Sequence, residues 1–213
     1  MSQQPHISVL KDEVIDLLAI KPTGVYVDCT LGAGGHASSI LSHLTTGHLY
    51  AFDQDESAIA IAGERLSAIG SNFTIIRSNF VGLKEKLNQH NVDCVDGILF
   101  DIGVSSMQLD QEQRGFSYRF DAPLDMRMDM QQTLTAAIVV NEYSVGDLIK
   151  IFYQYGEEPF SKQIARNITR RRIEKPIETT FELVDIIRAS MPMKKQKGKH
   201  PAKRIFQAIR IEV

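Results

Sequence analysis

Apolar positions along the first hundred residues alternate between two rhythms. From Val9 to Ile20, the residues Leu10, Val14, Leu17 and Leu18 recur at the spacing of an amphipathic helix, and Lys21-Pro22-Thr23-Gly24 breaks the pattern. Val25-Tyr26-Val27 is β-branched and aromatic, which predicts a short buried strand ending at Asp28. Gly32-Ala33-Gly34-Gly35-His36 then reads as a glycine-rich turn opening a helix that runs to Leu44. A second strand over Leu49–Asp53, a helix over Ser57–Ile69 with Gly70 as its stop, and a third strand over Phe73–Arg77 follow. A short helix over Leu83–His90 and a fourth strand over Val95–Ile102 complete the series. Four alternations of strand and helix predict an α/β fold with a parallel, doubly wound sheet.

The rhythm changes after Ser106. Met107 to Met130 has no clear period and reads as a long ordered loop, since Phe116, Tyr118, Phe120, Leu124, Met126 and Met128 make it too apolar for disorder. Helices then follow one another. Ser144 with Asp147 and Thr179 with Glu182 resemble capping boxes, Ser161–Ile173 forms an Arg-rich helix between them, and Pro201–Val213 forms the last. The organisation expected is a nucleotide-binding core over 1–106 and a mostly helical, basic subdomain over 107–213. Four strands are few for an open sheet of this kind, and the chain stops inside a helical pattern. Residues 107–213 therefore read as an insertion whose return to the sheet is missing, as expected of a fragment of a longer natural chain or of a variant lacking its C-terminal strands.

Charge sharpens this division. Residues 1–160 carry 10 Lys and Arg against 21 Asp and Glu, whereas residues 161–213 carry 14 against 5. A basic final quarter on an acidic body suits contact with a polyanion. Cys29 and Cys94, both beside predicted buried strands, are too few for a disulfide framework. The first residues lack the pattern of a signal peptide, and no apolar run is long enough to span a bilayer, so a soluble cytoplasmic protein is expected. No metal is expected, because His36 has no partner His or Cys at ligand spacing.

Gly32-Ala33-Gly34-Gly35-His36-Ala37 satisfies G-x-G-x-x-G/A, and Asp53 lies 19 residues past Gly34 at a second strand end. A carboxylate there can accept both hydrogen bonds of a ribose diol; the alternative is a cap for the next helix, a task open also to Asp55 or Ser57. The glycine pattern admits a dinucleotide or S-adenosylmethionine. Asp28 before the glycines and Asp101 at the fourth strand suit the latter, and the second half-fold that would hold a nicotinamide is not visible.

At this point the sequence resembles the MraW/RsmH family of S-adenosylmethionine-dependent small-subunit rRNA (cytosine-N4) methyltransferases. The matching runs are His6-Ile7-Ser8-Val9-Leu10 with Glu13-Val14, the Asp28–His36 loop, and Asp101-Ile102-Gly103-Val104-Ser105-Ser106-Met107-Gln108-Leu109-Asp110. They continue through Arg114-Gly115-Phe116-Ser117, Pro123 to Asp129, Tyr155-Gly156-Glu157-Glu158, Ile164-Ala165-Arg166, and His200 to Arg204 with Phe206-Gln207-Ala208. Met107 stands where the family has proline. The resemblance implies that Gly34, Gly35 and His36 line the methionine end of the cofactor, that Asp53 binds its ribose, that Phe80 packs on the adenine, and that Asp101 and Gln108 complete the pocket. It also implies a 16S rRNA substrate, within the small ribosomal subunit, and a helical substrate-binding subdomain after the fourth strand.

The expected reaction is displacement at the cofactor methyl by the exocyclic amine of a cytidine. That nitrogen is a poor nucleophile, so an acceptor for its N–H is needed, and Asp101 is the candidate, through its carboxylate or a neighbouring carbonyl. Phe116, Tyr118 and Phe120 could stack on an extruded base or form the subdomain core. Arg170, Arg171, Arg172, Lys194, Lys195, Lys197, Lys199, Lys203 and Arg204 are candidates for RNA phosphates. Two rivals remain: a non-catalytic RNA-binding protein using the fold as a scaffold, and an NAD-dependent enzyme.

Overall fold

The structure, a computed structural model, describes residues 8–193 and 200–213, without the side chains of Ser106 and Met107. The expectations placed on His6, Ile7, Lys194, Lys195, Lys197 and Lys199 fall outside the described residues. The chain divides into two units, Met1–Ser105 and Ser106–Val213.

In the first unit, β1 (Val25–Asp28), β2 (His48–Asp53), β3 (Phe73–Arg77) and β4 (Gly97–Leu99) form one parallel sheet in the order β3-β2-β1-β4. Helices α1 (Lys11–Leu18), α2 (Gly35–His43), α3 (Glu56–Ser67) and α4 (Leu83–Gln89) accompany it. Alternation along β1 and β2 separates two cores. Tyr26, Leu49 and Ala51 face Ile40, Leu41, Ala62 and Leu66 of α2 and α3, while Val27, Phe52 and Ile76 face Leu83 and Leu87 of α4. Both faces are thus covered, as a parallel sheet requires. The expected α/β class is the one observed.

Two details differ from the sequence reading. The fourth strand is shorter than Val95–Ile102, because the chain leaves the ladder after Leu99, and Phe100, Asp101 and Ile102 lie exposed beyond it. Gly70 is no left-handed stop: α3 ends at Ser67, and Ala68 is still in the right-handed region.

The second unit is helical: α5 (Ser106–Asp110), α6 (Ala136–Glu142), α7 (Val145–Gln154), α8 (Ser161–Glu174), α9 (Thr180–Ala189) and α10 (Lys203–Glu212). The segment read as unbroken loop contains α5 and a 3-10 turn at Glu112–Arg114, both too short to show a period. Phe116, Leu124 and Met126 are buried, as are Ile151, Phe152, Ile164, Ile168, Leu183, Ile187, Phe206 and Ile209. Gly115 has φ +67°, and a Cβ there would lie 2.2 Å from the Pro123 carbonyl, so only glycine fits. The Asp125 carboxylate takes Arg127 Nε and Nη2 at 2.9 and 2.8 Å, and Arg127 Nη1 donates to the carbonyls of Met130 and Gln132. Thr179 and Glu182 form the full capping box at α9. At α7 only half forms: Ser144 accepts from Asp147 N–H, and its hydroxyl turns to the Asp147 carboxylate instead of leaving that group for the cap backbone.

Candidate cofactor site

The sheet order places its topological switch between β1 and β4, where chain direction around the sheet reverses and a crevice opens at the carboxyl edge. Five of the expected positions lie at or just past the carboxyl ends of β1, β2 and β4. Gly34, with φ +76°, caps α2, and a Cβ on it would come within 3.1 Å of Ala62 Cβ. Glycine is therefore needed twice over, for the turn and for the approach of α3. Gly35 and His36 form the first turn of α2. Asp53 ends β2, and Asp101 follows β4.

The Asp53 carboxylate is held by three backbone donors: Gly32 N–H at 2.7 Å on Oδ2, and Gln54 and Asp55 N–H at 2.8 and 2.9 Å on Oδ1. It fastens the glycine turn to β2. Capping of α3 falls to Asp55, which accepts Ser57 N–H at 3.0 Å. Of the roughly four acceptor positions of Asp53, one on Oδ2 stays open.

Asp28 is 0% exposed. Its Oδ1 accepts Thr30 N–H at 3.0 Å and lies 3.4 Å from the Thr30 hydroxyl, while Oδ2 is buried with no hydrogen-bond partner among the described residues. Burial pushes its carboxyl up to about 7, against the Thr30 hydrogen bonds, and the nearby Asp53 and Asp101 charges add to the rise. His36 is buried too. Its Nε2 lies 3.7 Å from Asp101 Oδ2, and its Nδ1 has no partner among the described residues. Buried polar groups left open are costly, and two of them beside a glycine turn mark a place built to receive something. Three carboxylates within electrostatic reach favour a cation-bearing occupant. S-adenosylmethionine, with its sulfonium and ammonium, fits this donor set.

Phe80 lies in a 3-10 turn after β3, 36% exposed, with its ring edge-on to that of Phe100 at 5.6 Å. The pair forms an accessible aromatic surface beside Asp101. Phe100 was hidden in the sequence because it looks like one more apolar strand residue. Thr30 was hidden as well: its hydroxyl accepts Asp101 N–H at 2.7 Å, a link across 71 positions that no spacing rule detects. Gln108 is buried in α5, in the second unit. Cys29 is buried and Cys94 exposed; the chain reaches β4 only at Gly97. Among the described residues no group of three or more His, Cys, Asp or Glu side chains could hold a metal ion. No described helix is long and apolar enough to cross a membrane.

The basic candidates divide by what they touch. Arg172 donates to the carbonyls of Val140 and Tyr143 at 2.8 and 2.7 Å, at the carboxyl end of α6. Arg204 donates to the Glu157 carbonyl at 2.9 Å, and Gln207 to that of Tyr155. Those bonds tie the Tyr155–Glu158 and His200–Ala208 motifs together. Arg171 lies 3.8 Å from Glu174, and Arg170 donates to the Asn167 side chain. Lys203 is exposed. Of the proposed stacking residues, Phe116 is buried core, and Tyr118 lies flat on His200 at 4.3 Å with its edge toward Phe206.

The sequence profile of the MraW methylase family matches residues 3–213. The chain is 61% identical over 209 residues to "Ribosomal RNA small subunit methyltransferase H" of Exiguobacterium sibiricum, covering 98% of this chain and 67% of that protein. Among solved structures, an rRNA methylase from Streptococcus thermophilus aligns over 57% of this chain and 70% of its own, with TM-score 0.37 and 24% identity. Precorrin 8w decarboxylase from Methanobacterium thermoautotrophicum aligns over 39% and 45%, with TM-score 0.35 and 21% identity.

Proposed function

This chain belongs to the MraW methylase family, and we propose that it transfers a methyl group from S-adenosylmethionine to the N4 amine of a cytidine in small-subunit (16S) ribosomal RNA. The observation that carries this reading is the open, buried Asp28 Oδ2 beside the Gly34–His36 turn, with Asp53 and Asp101 around it. A scaffold that only bound RNA would gain nothing from burying an unsatisfied carboxylate there.

In this reading the first unit binds the cofactor and the second recognises RNA. Gly34, Gly35 and His36 line the methionine end, with the buried Asp28 carboxyl behind them acting through its charge. The open Oδ2 position of Asp53 accepts from the ribose, and Phe80 packs on the adenine. When bound, S-adenosylmethionine supplies a methyl group on a sulfonium and leaves as a neutral thioether. The Asp101 carboxylate is 56% exposed and so is accessible to substrate. It accepts an N–H of the cytidine amine, which raises that nitrogen's reactivity, and takes the proton shed as the new N–C bond forms.

The cysteines support transfer to nitrogen. Attack through a ring carbon of cytosine commonly needs a cysteine thiolate. Burial pushes the Cys29 thiol up to about 12, helped by the Asp28 charge, and Cys94 precedes β4 at the amino edge of the sheet, away from the strand ends that carry Asp28 and Asp101.

Calorimetric titration of S-adenosylmethionine and, separately, NAD into wild-type protein and Asp53→Ala tests the cofactor assignment. Binding of S-adenosylmethionine that weakens in the variant supports it. Binding of NAD, or of neither, contradicts it.

A further inference from the structure

The crevice between β1 and β4 is bridged by one side chain. The ladder between these strands runs through Asp28↔Leu99, and Cys29 N–H donates to the Leu99 carbonyl at 2.9 Å. The next inward-facing N–H of that edge belongs to Asp101, and it donates to the Thr30 hydroxyl at 2.7 Å. A side chain thus takes over where the backbone ladder stops.

A threonine hydroxyl has one donor and two acceptor positions. With one acceptor occupied by Asp101 N–H, its own proton is directed at Asp28 Oδ1, 3.4 Å away, and Thr30 N–H donates to that same oxygen at 3.0 Å. Thr30 therefore joins the fully buried carboxylate at the end of β1 to the main chain of the exposed carboxylate after β4. The Asp101 side chain is more than half exposed, with His36 Nε2 3.7 Å from its Oδ2, and a Cβ placed on the nearby Gly103 would meet no atom within 4 Å, so among the described contacts the Thr30 hydroxyl is the one that fixes the Asp101 main chain.

We infer that Thr30 is a positioning residue for methyl transfer: its hydroxyl fixes the main chain of Asp101 relative to the buried Asp28, and so sets where the Asp101 carboxylate meets the substrate amine. This rests on the role given to Asp101 above. An acceptor must stand at hydrogen-bond distance from the attacking nitrogen, and a misplacement of about 1 Å costs about 100-fold in rate. Thr30 acts through Asp101 and does not itself touch the reacting atoms.

The test compares Thr30→Val, which keeps the shape and removes the hydroxyl, with Thr30→Ser, which restores it, and with Asp101→Asn, all in the chain at its natural length. Thr30→Val is expected to lower kcat by about 100-fold while the KM for RNA stays near wild type and the S-adenosylmethionine Kd, which feels only the lost Thr30 hydroxyl contact with Asp28, changes far less than kcat. Thr30→Ser is expected to recover the rate. Amide hydrogen exchange at Asp101, read by NMR without turnover, is expected to be slow in the wild type and Thr30→Ser and fast in Thr30→Val. If Thr30→Val does not fold, Thr30→Ala carries the same expectations. A wild-type kcat in Thr30→Val, a Thr30→Ser as slow as Thr30→Val, or an Asp101 amide equally protected in all three would overturn the inference. A slow Asp101→Asn beside a normal Thr30→Val overturns this inference alone. A normal Asp101→Asn overturns the acceptor role of Asp101 and this inference with it.

Discussion

Asp53 Oδ2 accepts the Gly32 N–H at 2.7 Å across 21 positions, so the carboxylate expected to hold a ribose also closes the glycine turn onto β2. The two roles make a joint prediction. Asp53→Ala leaves Gly32, Gln54 and Asp55 N–H groups without this acceptor, each at a cost of about 1–3 kcal/mol where water cannot replace it. Its melting temperature should fall along with its affinity for S-adenosylmethionine. Added cofactor should recover less stability in the variant than in the wild type, which thermal melts with and without cofactor will show.

The buried Asp28 makes the site sensitive to pH. Its carboxyl is pushed up to about 7 by burial, from an ordinary unfolded value of about 3.9. Between those values the folded state binds the extra proton, so the Asp28 contribution to stability declines as pH rises from about 4 to about 7 and then levels off. Cofactor affinity should move the opposite way, rising with pH toward 7 as the carboxylate forms. Asp28→Asn should flatten both profiles. Melting temperature and Kd measured from pH 5 to pH 8 test this; a wild-type affinity that does not change with pH would contradict it.

Arg127 and Asp125 should matter for stability and little for chemistry. Removing one partner of a largely buried bidentate pair costs about 3–5 kcal/mol, near the lower end here because both side chains keep some exposure. Arg127→Met should therefore lower the denaturant midpoint strongly. Burial pushes the Asp125 carboxyl up, but the Arg127 hydrogen bonds outweigh it and hold it below the ordinary value. Its stabilising effect is present above the unfolded value and lost as pH falls through the folded one, so the wild type should lose stability in acid more steeply than Arg127→Met.

The basic residues should separate by their contacts. Lys203→Ala and Arg170→Ala should leave the melting temperature nearly unchanged, and each should reduce the salt slope of RNA binding by about one. Arg172→Ala should instead destabilise the protein, because its guanidinium satisfies two carbonyls at the end of α6. A salt-independent RNA affinity in the wild type would return the first two to an ordinary solvated surface.

These contrasts show what the sequence made legible. The four strands, the glycine turn and most helices were readable because their signals are local: alternation, helical spacing, Thr179 with Glu182. The motif residues could be named, but their partners could not. Arg172 reads as one of three adjacent arginines until the fold turns it onto α6. Thr30 reads as a filler between Cys29 and Leu31 until β4 is laid beside β1. Phe116 and Tyr118 read equally well as core or as stacking surface, and packing decides for the core. What was missed is long-range pairing, which depends on register and not on composition.

The most direct measurement is methyl transfer itself. Protein, labelled S-adenosylmethionine and small ribosomal subunits, or their RNA, are incubated, and the RNA is digested to nucleosides and resolved by mass spectrometry. The account predicts label in N4-methylcytidine, lost with Asp101→Asn. Label in another nucleoside, or none from a protein that binds the cofactor, would contradict it.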